Sequence, residues 1–300
     1  MAYDSIGSRK TGDIDLLISR DNIKQAEEIL KNNGFFQKLD TSLSEIFNAK
    51  FSHQTMPWFK IVGNLVIQID INVSIFWGEY QGDYSFVKDF ISNYHYQNIY
   101  NVQIKVLNEN LNFILLCLHQ YKDMNSIYLL YKRKRYNKNA FYEIQSIIES
   151  NKIDFVTILN YSLKYKCEKY IAYIINCLVY ISTNSKLNII YDLFKKYIDD
   201  ELFDSYGLSI NERKKWPINF INRYNCNDLF EIIKSDLNRK DIMKIRINER
   251  IYEWWKFIQK NCKRNKNWNM LFIRKRYTNN WWCANKYLWY WFFTIYWTYN

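Results

Sequence analysis

Asp13 and Asp15, one residue apart, are the first side chains in this 300-residue sequence whose types and spacing suggest chemistry. They lie in Gly12-Asp-Ile-Asp-Leu-Leu-Ile, which reads as a strand. Side chains alternate along a strand, so the two acids share one face while Ile14, Leu16 and Ile18 point to the other. Two residues of rise separate them by roughly 7 Å, a distance over which two carboxylates can close on a shared divalent cation. Without a cation they would repel and be costly to desolvate. Magnesium prefers a few carboxylates, several waters and substrate phosphates. The pair therefore points to a magnesium site for phosphate chemistry, although Asp-x-Asp also often marks only a strand end.

A third acid lies in the clearest strand of the sequence, Leu65-Val-Ile-Gln-Ile-Asp-Ile-Asn-Val73. Ile67, Ile69, Ile71 and Val73 share one face, and Gln68, Asp70 and Asn72 share the other. Taken alone, Asp70 fits a solvent-facing residue. Taken with Asp13 and Asp15, it fits a third metal ligand.

These acids need elements to hold them. After the first strand, Ser19-Arg20-Asp21 supplies a cap, and Asn22–Lys31 reads as a helix with Ile23, Ala26, Ile29 and Leu30 on one face. Gly34 stands where a left-handed residue is wanted after a helix, and Phe35 and Phe36 return the chain to the core. Residues 45–62 read as a strand or two, followed by a two-residue hairpin signal at Gly63-Asn64. Residues 84–93 suggest a short helix and Asn98–Leu107 a further strand. From Asn108 the spacing becomes helical over 109–122, 126–150, 154–164, 168–182 and 186–199, with Asn108, Asp154 and Asn184 at cap positions. The expected class is α+β: a mixed-sheet domain over 1–106, an all-helical domain over 107–235, and a distinct tail over 236–300.

Composition narrows the setting. Seven glycines and two prolines argue against a turn-rich all-β protein. The Asn, Ile, Lys and Tyr bias has the flavour of an AT-rich coding sequence. The six cysteines (117, 167, 177, 226, 262 and 283) form no C-x-x-C pair. Cys117, Cys167 and Cys177 fit small buried hydrophobes, and neither a zinc site nor a disulfide framework is expected. The N-terminus lacks the apolar core of a signal peptide. The last apolar run, Leu288–Tyr299, has 12 residues, too few to span a bilayer as a helix. A reduced, cytoplasmic protein is expected. The net charge of +12 is uneven: Arg239–Lys286 holds 14 Lys and Arg against three acids.

The segment Gly7-Ser-Arg-Lys-Thr-Gly-Asp-Ile-Asp-Leu-Leu-Ile18 resembles the core motif of the DNA polymerase β-like nucleotidyltransferase superfamily. More narrowly, Arg9-x-x-Gly12-Asp-Ile-Asp-Leu-Leu resembles a largely uncharacterised nucleotidyltransferase family. The helix ending Asn33-Gly34-Phe35, His53 before a hairpin, and Ile69-Asp70-Ile71 are similar to it as well. So are Leu116-Cys117-Leu118-His119 and Ile153-Asp154-Phe155, and the resemblance covers roughly residues 3–200. It implies a two-metal mechanism in which Asp13 and Asp15 hold both magnesium ions and Asp70 completes the one that activates the attacking hydroxyl. A nucleoside triphosphate would donate its monophosphate to an unidentified acceptor. Arg9, Lys10 and Gly12 would face the triphosphate oxygens, a solvated turn being the equal alternative for the two cations.

Two departures from that pattern are visible. Only four residues separate Gly7-Ser8 from Asp13, too few for the helix turn whose amides grip a triphosphate in the wider superfamily. In the narrower family that grip lies upstream in a Leu-Lys-Gly segment, so an N-terminally truncated chain is expected. Asn72 stands where the family often has His.

Other features carry a bland reading beside a sharp one. His119 reads as a satisfied core histidine before a catalytic base, and His53 is similar. Lys132-Arg133-Lys134-Arg135 reads as a solvated helix end before an anion-binding patch. In the tail, eight of the 11 tryptophans fall among the last 50 residues, interleaved with Lys and Arg. Such a stretch can grip single-stranded nucleic acid, but it matches translation in a shifted frame better. Two alternatives to the transferase follow: a catalytically inactive, truncated relative that persists as a binding or remnant protein, and single-stranded nucleic-acid binding by the basic, aromatic tail.

Overall fold

The structure is a computed structural model and describes residues 13–37, 53–77, 86–99, 101–239, 241–243 and 245. The chain divides into two compact units, residues 1–246 and 247–300, and every described residue belongs to the first. The Trp-rich tail beyond residue 245 and the first part, 45–52, of the stretch expected to hold a strand or two lie outside the described residues, as do Arg9, Lys10 and Gly12.

The fold is α+β, with a small mixed sheet followed by helices. Strand β1 (Ile14–Leu17) leads through a 3-10 turn to helix α1 (Ile23–Asn32). The end of α1 is closed as the sequence leads one to expect. Gly34 takes φ +78, its amide donates to Lys31 O, and the Phe35 amide donates to Leu30 O. Strand β2 (Phe36–Gln37) pairs antiparallel with β3 (Trp58–Val62). Gly63, with φ +58, turns β3 into β4 (Leu65–Asn72), suiting the first central position of a II′ turn. The sheet order is β1-β4-β3-β2, with β1 and β4 parallel and the other pairs antiparallel.

The apolar face of β4 goes inward. Ile69, Ile71 and Val73 are buried with Leu30 and Trp58, and Ile18, Ile23, Ala26 and Phe35 pack against them. Beyond β4 the chain runs into the helices: Ile75, Phe76 and Trp77 lie in the same core as helix α3 (Glu109–Asn125) and helix α7 (Glu168–Ile181). Each large apolar side chain buried there contributes about 1.5–3 kcal/mol. Helix α3 is the centre of this body. It contacts α4 (Ile127–Arg133), α5 (Lys138–Glu149), α6 (Phe155–Lys164) and α7. Its caps are local: the Asn108 side chain accepts from the Leu111 amide, as Asp154 does from Thr157 for α6. Asn184 does the same for α8 (Ser185–Phe194).

Three expectations change in detail. The single strand over 98–107 is a hairpin, β5 (Tyr94–Ile99) and β6 (Val102–Leu107), turned at Asn101 with φ +64. The short helix before it, α2, spans Val87–Ser92. The helix over 126–150 is broken in two, because Lys134 takes φ +66 within the run of four cations. There it donates to Asp228 at 2.8 Å, and Arg133 pairs with Asp123. Cys117, Cys167 and Cys177 are buried free thiols.

Candidate active site

The parallel pairing of β1 and β4 sets Asp15 directly beside Asp70, and Leu17 beside Asn72. Neighbouring strands lie about 4.8 Å apart, and register partners point to the same face. The two acids are therefore neighbours on one face, although 55 residues separate them in sequence. Asp13 precedes the first residue of β1, on the same side as Asp15. On the far flank of β4, the segment before β3 extends the pairing, with Thr55 N donating to Ile71 O and Val73 N to His53 O.

Two amides of β4 hold the acids. The Asn72 Nδ2 donates to Asp15 Oδ1 at 2.9 Å, and the Gln68 Nε2 donates to Asp70 Oδ1 at 3.0 Å. All three polar positions of β4 thus act on the carboxylate face, which their alternation in sequence already indicated. Asp13 and Asp15 are exposed, whereas Asp70 is 7% exposed. Burial pushes the Asp70 carboxyl above the usual range. The hydrogen bonds from Gln68 and Gln54 pull it down, and the charges of Asp13 and Asp15 push it further up. The three acids share one electrostatic neighbourhood.

The electrostatics of this face extend to helix α3. His119 feels the charge of Asp15, and His53 feels those of Lys122 and His119. Desolvation, with Lys122 and His119 adding to it, holds the His53 imidazole down at about 3. His119 faces Asp123, its Nε2 3.7 Å from Oδ1, and Arg133 sits on the other oxygen of that carboxylate. Thus His119, read from the sequence as a satisfied core histidine first, is an exposed residue near Asp15. Asp123 and Arg133 are the partners that sequence reading missed. The spacing of four between His119 and Asp123 was the available signal.

The donor set consists of carboxylates, which suits magnesium rather than a softer metal. Asn72 occupies one oxygen of Asp15, whereas Asp70 is hydrogen-bonded by both Gln68 and Gln54. The side chains are not drawn together, however: among the described residues no group of three or more His, Cys, Asp or Glu is gathered to hold a metal ion. The chemistry of the donors fits, and binding would require the side chains to converge. On the other face of β1, Ile14 is 50% and Leu16 39% exposed.

A small mixed sheet that presents paired acids, backed by a helical body, is an arrangement compatible with nucleotidyl transfer. Residues 1–181 match the model of a family described as "uncharacterised nucleotidyltransferase", and the chain belongs to that family. Comparison with curated proteins and with solved structures gives no match. Among the described residues no helix is long and apolar enough to cross a membrane.

Proposed function

We propose that this chain is a magnesium-dependent nucleotidyltransferase that moves a nucleoside monophosphate from a nucleoside triphosphate to an acceptor. The observation that carries this reading, beside membership of the family, is the register of Asp15 with Asp70 on adjacent parallel strands. Asp13 and Asp15 would hold two ions, and Asp70 would complete the site of one. Bound magnesium would supply charge stabilisation at the α-phosphate and at the departing pyrophosphate. The residues of the chain would do the rest. Asn72 fixes one oxygen of Asp15 and Gln68 one oxygen of Asp70, and Gln54 adds a further hydrogen bond to Asp70, so neither carboxylate is free to rotate. Burial of Asp70 makes its ionised form costly, and that cost favours any cation able to offset it. Arg9 and Lys10, with Gly12 beside them, would take the triphosphate oxygens through charge-assisted hydrogen bonds.

The test is incubation with labelled nucleoside triphosphates and candidate acceptors in magnesium, comparing the wild type with Asp13→Ala and Asp15→Ala. Label transfer that survives both substitutions excludes this mechanism. A second reading, a catalytically inactive relative that persists as a binding or remnant protein, draws on the ungathered side chains of the three acids. It predicts no transfer by the wild type, and no magnesium-dependent nucleotide binding in calorimetry.

A further inference from the structure

We propose that His119 is the proton acceptor for the attacking hydroxyl of the acceptor substrate and that Asp123 aims it. This role presupposes the nucleotidyl transfer proposed above. His119 and Asp123 stand one helical turn apart on α3, with Nε2 of the imidazole 3.7 Å from Oδ1 of the carboxylate. The Asp123 side chain is 7% exposed. Its Oδ2 takes the guanidinium of Arg133, while its Oδ1 is buried without a hydrogen-bond partner. A buried acceptor left unpaired is costly, and the Nε2–H of His119 is the donor that faces it. A movement of about 1 Å or less closes the pair to hydrogen-bonding distance.

With Nε2–H turned toward Asp123, the lone pair resides on Nδ1. The His119 side chain is 57% exposed. The charged and titratable groups around it come from four elements. Lys122 and Asp123 lie on α3 itself, Arg133 at the end of α4, Asp15 on β1, and His53 on the segment before β3. The surrounding protein, Lys122 and Arg133 lower the His119 pKa while Asp123 and Asp15 raise it, and the balance is below the ordinary range. At neutral pH the ring is therefore uncharged and able to accept a proton. The influence of Asp15 is electrostatic, and no hydrogen bond or ion pair joins it to His119 among the described residues.

The acceptor oxygen forms a bond to the α-phosphorus, and its proton passes to Nδ1 of His119. The bond between the α-phosphorus and the bridging oxygen of pyrophosphate breaks, and its electron pair leaves with pyrophosphate. The resulting imidazolium faces the Asp123 carboxylate, which lowers the energy of the charged ring.

The experiment uses the full chain with α-labelled ATP and magnesium, total cellular RNA as the acceptor probe, and self-labelling read on the same gel. The wild-type rate is expected to rise with pH along an acidic limb and then level off. His119→Gln should lower kcat by about 100-fold and abolish that limb while leaving affinity for magnesium–ATP within about two-fold. Asp123→Asn removes the negative neighbour and should move the limb to lower pH. The ring signals of His119, assigned in NMR by their loss in His119→Gln, should shift when magnesium and α,β-methylene ATP bind. A wild type that does not bind this nucleotide overturns both readings. Binding and transfer that are unchanged in His119→Gln, or a limb unmoved in Asp123→Asn, overturn the role of His119 alone.

Discussion

Asn72 donates its side-chain amide to Asp15 at 2.9 Å across the parallel pair of β1 and β4, while its own backbone carbonyl accepts from Ile18. One residue thus fixes both the strand and the carboxylate that the strand carries. Asn72→Ala should leave the fold intact and loosen Asp15. Loss of a partly exposed, charge-assisted hydrogen bond is expected to weaken magnesium–nucleotide binding by about 1 kcal/mol, roughly five-fold. Calorimetry checks it, and an unchanged affinity would remove Asn72 from the site.

Asp70 makes an opposite kind of prediction, because its folded pKa is raised by burial. The folded state then holds a proton that the unfolded state has released, so the contribution of Asp70 to stability falls as pH rises above the ordinary carboxylate value of 3.8. Asp70→Asn should therefore stabilise the metal-free protein at neutral pH and flatten that part of its pH dependence. Thermal melts in EDTA from pH 4 to 8 give the comparison. Magnesium should raise the melting temperature of the wild type more than that of the variant.

His53 titrates in the reverse sense. Its folded value of about 3 lies below the ordinary 6.5, so the unfolded chain takes up a proton first as pH falls. Stability owed to neutral His53 is complete above 6.5 and is lost progressively toward 3. His53→Asn should lose less melting temperature than the wild type between pH 7 and pH 4.5. Equal losses in the two proteins would show that desolvation does not hold His53 neutral in solution.

Gly207 tests the helical body alone. It takes φ +97, and a Cβ there would lie 2.5 Å from the backbone oxygen of Glu212. Gly207→Ala is expected to cost about 2 kcal/mol or more in denaturant unfolding, since both the backbone conformation and the close approach oppose it.

Much of this protein was legible in residue order because the relevant physics is local. Alternation over Leu65–Val73 assigned a strand and told its polar face from its apolar one, and burial of Ile69, Ile71 and Val73 follows that pattern. Asn108, Asp154 and Asn184 each accept amide hydrogen bonds within three residues, so their capping was readable from short range. The break at Lys134 was not, because the partner of that lysine, Asp228, lies 94 residues away. The pairing of Asp15 with Asp70 was not either. A period of two says which face an acid is on, yet it does not set which residue of a distant strand stands opposite. The approach of His119 to Asp15 depends likewise on how α3 packs against the chain leaving β4. The sequence by itself determined the carboxylates, the faces they occupy and the family to which they point. The tertiary structure decided the register of Asp15 with Asp70 and the Asn72 amide that holds Asp15, because each of these contacts joins residues that only folding brings together.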